Sequence, residues 1–524
     1  MILFSQTYNR SNDLILHNGN VITLNGSNLI AQAVYIRNGI IQSVGTNEYI
    51  TSIKRSNTTF IDCEGQTVMP GFIDPHCHIF SYASSLISID CRAPRVRSIG
   101  DIKKVIHERS KLTIRGEWIR ATGYDEFDLV DGKNPTRWDL DEAAPFHPVK
   151  LTHRSGHACI LNSVALNLVG ITNATDDPEE GFIDRDVLSG EPNGLLIDME
   201  EYLEKSIPNW DTDSIMKAIR LANEMFLSYG VTSIGDATHT NTMEKWGTLK
   251  KLKHDRAFMP RLTMMISTNS LDEFISSGLT FRSGDEQLNL GHMKIMLTNN
   301  SSRSDTISPH LNHMIRLAHR HGFPVAIHAV ESNQIEAACD ALLDSYTYRI
   351  DKKVKELDRI EHCSECTPTL LRKLFKTGAM IVTQPGFIYR SGDKYISEVS
   401  EEIRPWLYPI KSLLNTGLMV SYSSDSPVIE PNPLNSIDAS VRRLTINGRV
   451  LASKERVNML EALKMHTICG AHTMGQATYK GSLVPGKVAD LILLNDDPIK
   501  SLTKRFPEIR VTMTMIGGKV VWSR

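Results

Sequence analysis

Between residues 68 and 424 eight short apolar segments alternate with amphipathic stretches, and this alternation constrains the chain more than any other feature. The segments are 68–79, 230–237, 261–268, 292–297, 324–330, 359–363, 379–384 and 418–424. Near-continuous apolar runs of this length suit strands buried on both faces, and parallel strands need a helix-length crossover between them. The intervening sequence supplies such helices. Residues 214–229 place Ile215, Ala218, Ile219, Ala222, Met225 and Phe226 on one helical face. Residues 310–321 and 367–377 carry similar patterns. Eight β-plus-α units predict a (β/α)8 TIM-type barrel. A doubly wound sheet is the alternative, but no G-x-G-x-x-G follows any of these segments.

The two ends of the chain read differently. Leu14-Ile15-Leu16, Val21 to Leu24, Ala33 to Ile36 and Ile40-Ile41 are separated by Asn-Gly pairs at 18–19, 25–26 and 38–39, which predicts a meander of β-hairpins. Near the other end, 489–494 and 511–516 are strand-like, and Gly517-Gly518 turns into Lys519 to Trp522. Short terminal strands need partners to bury a face. They therefore predict a small β-sandwich domain composed of 1–69 and 478–524. The barrel is assigned to 70–90 and 211–477. Residues 91–210 break the repeat and are expected to form an α+β insertion after the first barrel strand, contributing to the substrate pocket. The insertion holds apolar stretches at 118–124 and 148–152 and a helix at 162–168.

Composition narrows the function classes. The chain has 524 residues, with 58 Lys plus Arg against 60 Asp plus Glu and a net charge of -2. That balance disfavours a polybasic nucleic-acid binder or membrane-surface protein. No apolar run reaches the ~18 residues that span a bilayer. The first residues lack the basic and apolar regions of a signal peptide. Eight scattered cysteines do not frame a disulfide scaffold, so a cytoplasmic location is expected, with Cys363 and Cys366 as two free thiols.

Chemistry-bearing side chains recur at the C-terminal ends of the apolar segments, the face on which barrels carry their active sites. His76 and His78 follow the first, in Pro70-Gly71-Phe72-Ile73-Asp74-Pro75-His76-Cys77-His78. With a strand period of two, both imidazoles face one side and can chelate one ion. Lys294 lies within the fourth segment; taken alone, its simplest reading is a strand-edge lysine with its head in solvent. His328 and His362 end successive segments, and neutral imidazole is the commonest metal ligand, whereas a single such histidine would be read as a satisfied core residue. Asp425 ends the last segment, where it could cap a turn, or could ligate a metal and take a proton from water. Each position alone is ambiguous; the ordered set of H-x-H, Lys, His, His and Asp is not.

This set resembles the metal-dependent amidohydrolase superfamily in its two-metal, lysine-bridged form. More closely, the chain resembles the third amidohydrolase family, the branch that contains N-substituted formamide deformylase. The shared phrases are Met69 to Asp74 with its H-x-H, Arg154-Ser155-Gly156-His157 with Asn162-Ser163, Arg359-Ile360-Glu361-His362, Gln384-Pro385, Ser424-Asp425-Ser426-Pro427, and Gly481 to Leu491. The resemblance implies that His76 and His78 bind a buried metal and that carbamylated Lys294 bridges two. It implies that His328 and His362 bind the second, and that Asp425 both ligates and acts as base and acid. His157 is implied as a substrate contact or carbonyl polariser. The expected cofactor is a divalent metal, two Zn2+ by default, with Mn2+, Fe2+ or Co2+ also fitting. The expected activity is hydrolysis of a non-peptide carbon-nitrogen bond in a small-molecule amide such as an N-substituted formamide, with neither nucleic acid nor membrane as partner. Relatives allow a homodimer. An N-acyl-amino-acid deacylase, a mononuclear deaminase and an inactive binding barrel are the rival readings. For the deacylase, Arg154, Arg303 and Arg390 are candidate carboxylate clamps. The chain departs from the resemblance at 298–303, Thr-Asn-Asn-Ser-Ser-Arg, where relatives carry an Asp-Gly turn.

Overall fold

In the computed structural model the described residues are 13–25, 30–178, 181–297, 307–347, 354, 357–500 and 508–524. The departure at 298–303 lies outside them, as does Arg303. Each of the eight apolar segments contributes a strand to one sheet, in the order of the sequence and with neighbours parallel, the start of the first segment belonging instead to a second sheet. These strands, β1 to β8, are Phe72–Cys77, Val231–Asp236, Arg261–Ser267, Leu288–Met296, Val325–Ala329, Arg359–His362, Met380–Thr383 and Val420–Tyr422. Their residues are almost entirely buried, as expected for parallel strands covered on both faces. Helices cross between them, among them Met243–His254, Ile307–Arg320, Ser332–Ser345 and Pro368–Thr377. The last opens on Pro368 and ends at Gly378 in the left-handed region, φ 67°.

β1 and β8 form the seam that closes the barrel, and individual bonds rather than a regular ladder hold it. Asp425 N donates to His76 O at 2.9 Å. The Asp74 carboxylate accepts from Ser424 N at 3.1 Å and from Ser424 Oγ at 2.5 Å. Asp74 is fully enclosed, and burial pushes its carboxyl up to about 6 despite the Ser424 and His76 donors. On the other side of β1, Gly235 of β2 allows close approach: a Cβ there would lie 2.3 Å from Pro75 O.

Two smaller sheets form the sandwich. One runs Ile40–Gly45, Ala33–Arg37, Asp13–His17, Thr59–Asp62. The other runs Lys519–Ser523, Val511–Ile516, Leu491–Leu494, Thr67–Pro70, Asn20–Ile22, Ile30–Ala31, so it is woven from both ends of the chain. Leu16, Val34, Ile36, Val68, Leu491, Leu493 and Met515 share their core. Asn38-Gly39 makes the expected hairpin, with φ 51° and 76°. The simple meander, however, fails at Asn18-Gly19. Asn18 takes the turn conformation, φ 54°, yet the strands on its two sides belong to different sheets. An Asn-Gly pair specifies a tight turn but not the partner of the next strand, and here Leu16 and Val21 are drawn into one core from facing sheets. The third pair, 25–26, runs into residues outside the description.

The chain divides into two compact units, Met1–Cys77 with Asn223–Asp425 and Pro431–Arg524, and His78–Ala222 with Ser426–Glu430. The second unit carries its own mixed sheet, ordered Phe182–Arg185, Pro192–Ile197, Ala158–Leu161, Val149–His153, Ile119–Tyr124, Ile89–Asp90. Ile102, Ile106, Leu140, Val149 and Leu151 form part of its core.

Candidate metal centre

β1, β6 and the residues just after β8 bring three side chains to one point. One ligand atom from each of His76, His362 and Asp425 lies within 4.8 Å of the other two, and all three residues are buried. His76 Nε2 is 3.3 Å from Asp425 Oδ1 and 3.5 Å from Lys294 Nζ. The His362 ring lies 5.0 Å from that of His76 and 4.4 Å from that of His328. His362 and Asp425 both sit in the left-handed backbone region, φ 69° and 53°. For residues other than glycine this conformation costs of order 1–3 kcal/mol and clusters at functional sites.

Hydrogen bonds settle the tautomers. His362 Nδ1 donates to Gln384 Oε1 at 2.9 Å, and Gln384 is oriented by its own donation to Ser423 Oγ at 2.9 Å. His362 Nε2 thus carries its lone pair into the cluster, buried and without a hydrogen-bond partner among the described residues. Burial, offset only in part by Asp425, holds the imidazole down at about 3, so it is neutral at ordinary pH. His76 Nδ1 donates to Glu361 Oε2. Burial raises the Glu361 carboxyl, but the Arg359 guanidinium and His76 outweigh it and hold Glu361 below the usual carboxylate range. Two imidazoles and a carboxylate are a donor set suited to zinc. The partnerless, buried Nε2 of His362 is the observation that fits a metal ion here.

Lys294 is not the solvent-headed strand lysine of its simplest reading. It is 2% exposed, and burial pushes its amine down to about 8, although Glu361 and Asp425 pull it upward. His328 is half-buried on β5. His328 lies outside the three-residue group, as does His78, which leaves the strand to begin the helix Ile79–Ile87, whereas Lys294 Nζ reaches to 3.5 Å from the His76 Nε2 of that group. His157 lies in the second unit, where its Nδ1 donates to Asp198 Oδ1 at 2.9 Å. Arg154 is committed to Asp125, with Nε 3.0 Å from Oδ2, so it is a poor candidate for a carboxylate clamp. Sequence reasoning quoted Glu361, Arg359, Gln384 and Asp74 within shared phrases but gave them no role. Glu361 stands beside His362 in the chain but serves His76, a pairing only the fold creates. All eight cysteines are free, as expected for Cys363 and Cys366.

The model of the amidohydrolase family matches residues 59–522. N-substituted formamide deformylase of Arthrobacter pascens is 30% identical over 547 aligned positions, covering 98% of each chain. An uncharacterized metal-dependent hydrolase from Pyrococcus horikoshii superposes with a TM-score of 0.73 at 24% identity, over 93% of this chain and 98% of that one. A second, from Pyrococcus furiosus, gives 0.71 at 25% identity, over 93% and 100%. A family match running from the sandwich through the barrel to the last strand, with a relative of this similarity along the whole length, places the chain in the amidohydrolase family.

Proposed function

We propose that this protein hydrolyses a non-peptide carbon-nitrogen bond of a small amide, with N-substituted formamides as the first class to test. The convergence of His76, His362 and Asp425 at the C-terminal ends of the barrel strands carries this reading. His76 and His362 would hold the ion through Nε2, and Asp425 through one carboxylate oxygen. A divalent ion in this position supplies Lewis acidity, making water more acidic and an amide carbonyl more electrophilic. Asp425 takes the proton of the attacking water and returns it to the leaving nitrogen. Its left-handed backbone and the bond from its N–H to His76 O hold the carboxylate in place for both transfers.

The finer reading is a two-metal site. A neutral amine is the form that condenses with carbon dioxide, giving a carbamate and a proton, and the burial of Lys294 favours that form. In that reading His76, His78 and Asp425 would hold the first ion, His328 and His362 the second, and carbamylated Lys294 would serve both. A one-metal arrangement on His76, His362 and Asp425 is the alternative. Asp425→Asn tests the chemistry. It is expected to retain most of the bound metal while turnover of a formamide substrate falls by two to four orders of magnitude. An unchanged kcat would remove Asp425 from the proton transfers.

A further inference from the structure

The two imidazoles of the cluster are held by partners of different charge. His76 Nδ1 donates to a carboxylate, Glu361, whereas His362 Nδ1 donates to a neutral amide, Gln384. Glu361 is in turn gripped by Arg359, whose Nε lies 2.5 Å from Oε1 and whose second terminal nitrogen lies 3.3 Å from Oε2. That same nitrogen donates to Pro75 O at 2.8 Å, the carbonyl directly before His76, and the other donates to Thr473 O at 3.2 Å. Glu361 is 0% exposed and Arg359 and His76 are 1% exposed, so water does not screen these contacts. One guanidinium therefore fixes both the backbone that carries His76 and the carboxylate that orients its ring.

We infer that Glu361 and Arg359 are positioning residues that make His76 the dominant ligand of the metal centre, with His362 the weaker one. A carboxylate on Nδ1 fixes the tautomer that presents Nε2 and increases the electron density that Nε2 donates; an amide does only the first. Removing such a partner typically costs 10–100-fold in metal affinity. The inference rests on the proposed metal centre and reaches beyond it, since it ranks the ligands by a charge difference behind them.

Metal-free wild type, Glu361→Gln and Gln384→Glu would be titrated with Zn2+ against a chromophoric chelator, with thermal melting of each metal-free protein recorded alongside. Glu361→Gln is expected to bind Zn2+ 10–100-fold more weakly and to melt at a lower temperature when metal-free, because the buried Arg359 charge loses its carboxylate partner. Gln384→Glu is expected to bind several-fold more tightly. If Glu361→Gln fails to fold, Gln384→Glu decides, and an affinity no tighter than wild type overturns the inference. Equal affinities of wild type and folded Glu361→Gln overturn it while leaving the metal centre standing. A wild type that takes up no Zn2+ overturns both.

Discussion

Lys294 is a cation enclosed on a barrel strand within 3.5 Å of a histidine nitrogen, and such a group must lose its charge or gain a compensating partner. With its amine at about 8, about a tenth of it is neutral at pH 7, against far less for an ordinary lysine, and that fraction is the one open to carbamylation. Elemental analysis of protein prepared without chelator, for wild type and Lys294→Ala together, reads out the consequence. About two metals per chain in wild type and a clear loss in the variant are expected of the bridged site. One metal that survives the substitution would leave His76, His362 and Asp425 as a mononuclear centre. At this scale the ends of the strands were legible in the chain, because an ionisable residue closing an apolar run stands out locally. The groups behind the ligands were not. Glu361, Gln384 and Asp74 act on His76, His362 and Ser424 across 285, 22 and 350 residues of sequence, and no spacing rule reaches that far.

Among the elements, β1 bears the heaviest demands. It carries His76, receives the Asp425 N–H on one side, and packs against glycine-bearing β2 on the other. Gly235→Val would force its side chain into Pro75 O, the carbonyl that Arg359 also holds. Overpacking of this kind costs about 1–3 kcal/mol. A melting temperature lowered by several degrees and weakened Zn2+ binding are expected together. A lowered melting temperature with unchanged Zn2+ affinity would show that β1 tolerates the push without moving His76. The eight strands were legible from their apolar runs, since burial on both faces leaves no other pattern. The partners of the N-terminal strands were not, because Asn18-Gly19 announces a turn without saying which sheet comes next.

Over the whole molecule, stability depends on pH through buried amines. Lys480 is 2% exposed and donates to Ser233 Oγ at 2.9 Å; burial, with the Arg261 charge in second place, lowers it to about 7. In the unfolded chain its pKa is that of an ordinary lysine, 10.5. Below about 7 both states hold the proton and the cost of burying the charge is fully present. Between about 7 and 10.5 the unfolded state binds more protons than the folded one, so stability rises with pH across that window. Lys480→Met is expected to reduce the slope of unfolding free energy against pH there by up to about 1.4 kcal/mol per unit. Denaturant titrations at pH 7.5, 8.5 and 9.5 measure it, and parallel wild-type and variant curves would exclude Lys480 as a source. The sheet woven from both ends has a different consequence, one of timing during synthesis. Strand Thr67–Pro70, which leads straight into β1, takes its antiparallel neighbour from Leu491–Leu494. At about 5–20 residues per second, the ribosome needs roughly 20–80 s to cover the distance between them. For that interval the strand leading into the catalytic barrel has an open edge, so the nascent chain must be kept from pairing with its neighbours on the polysome until its final segments emerge.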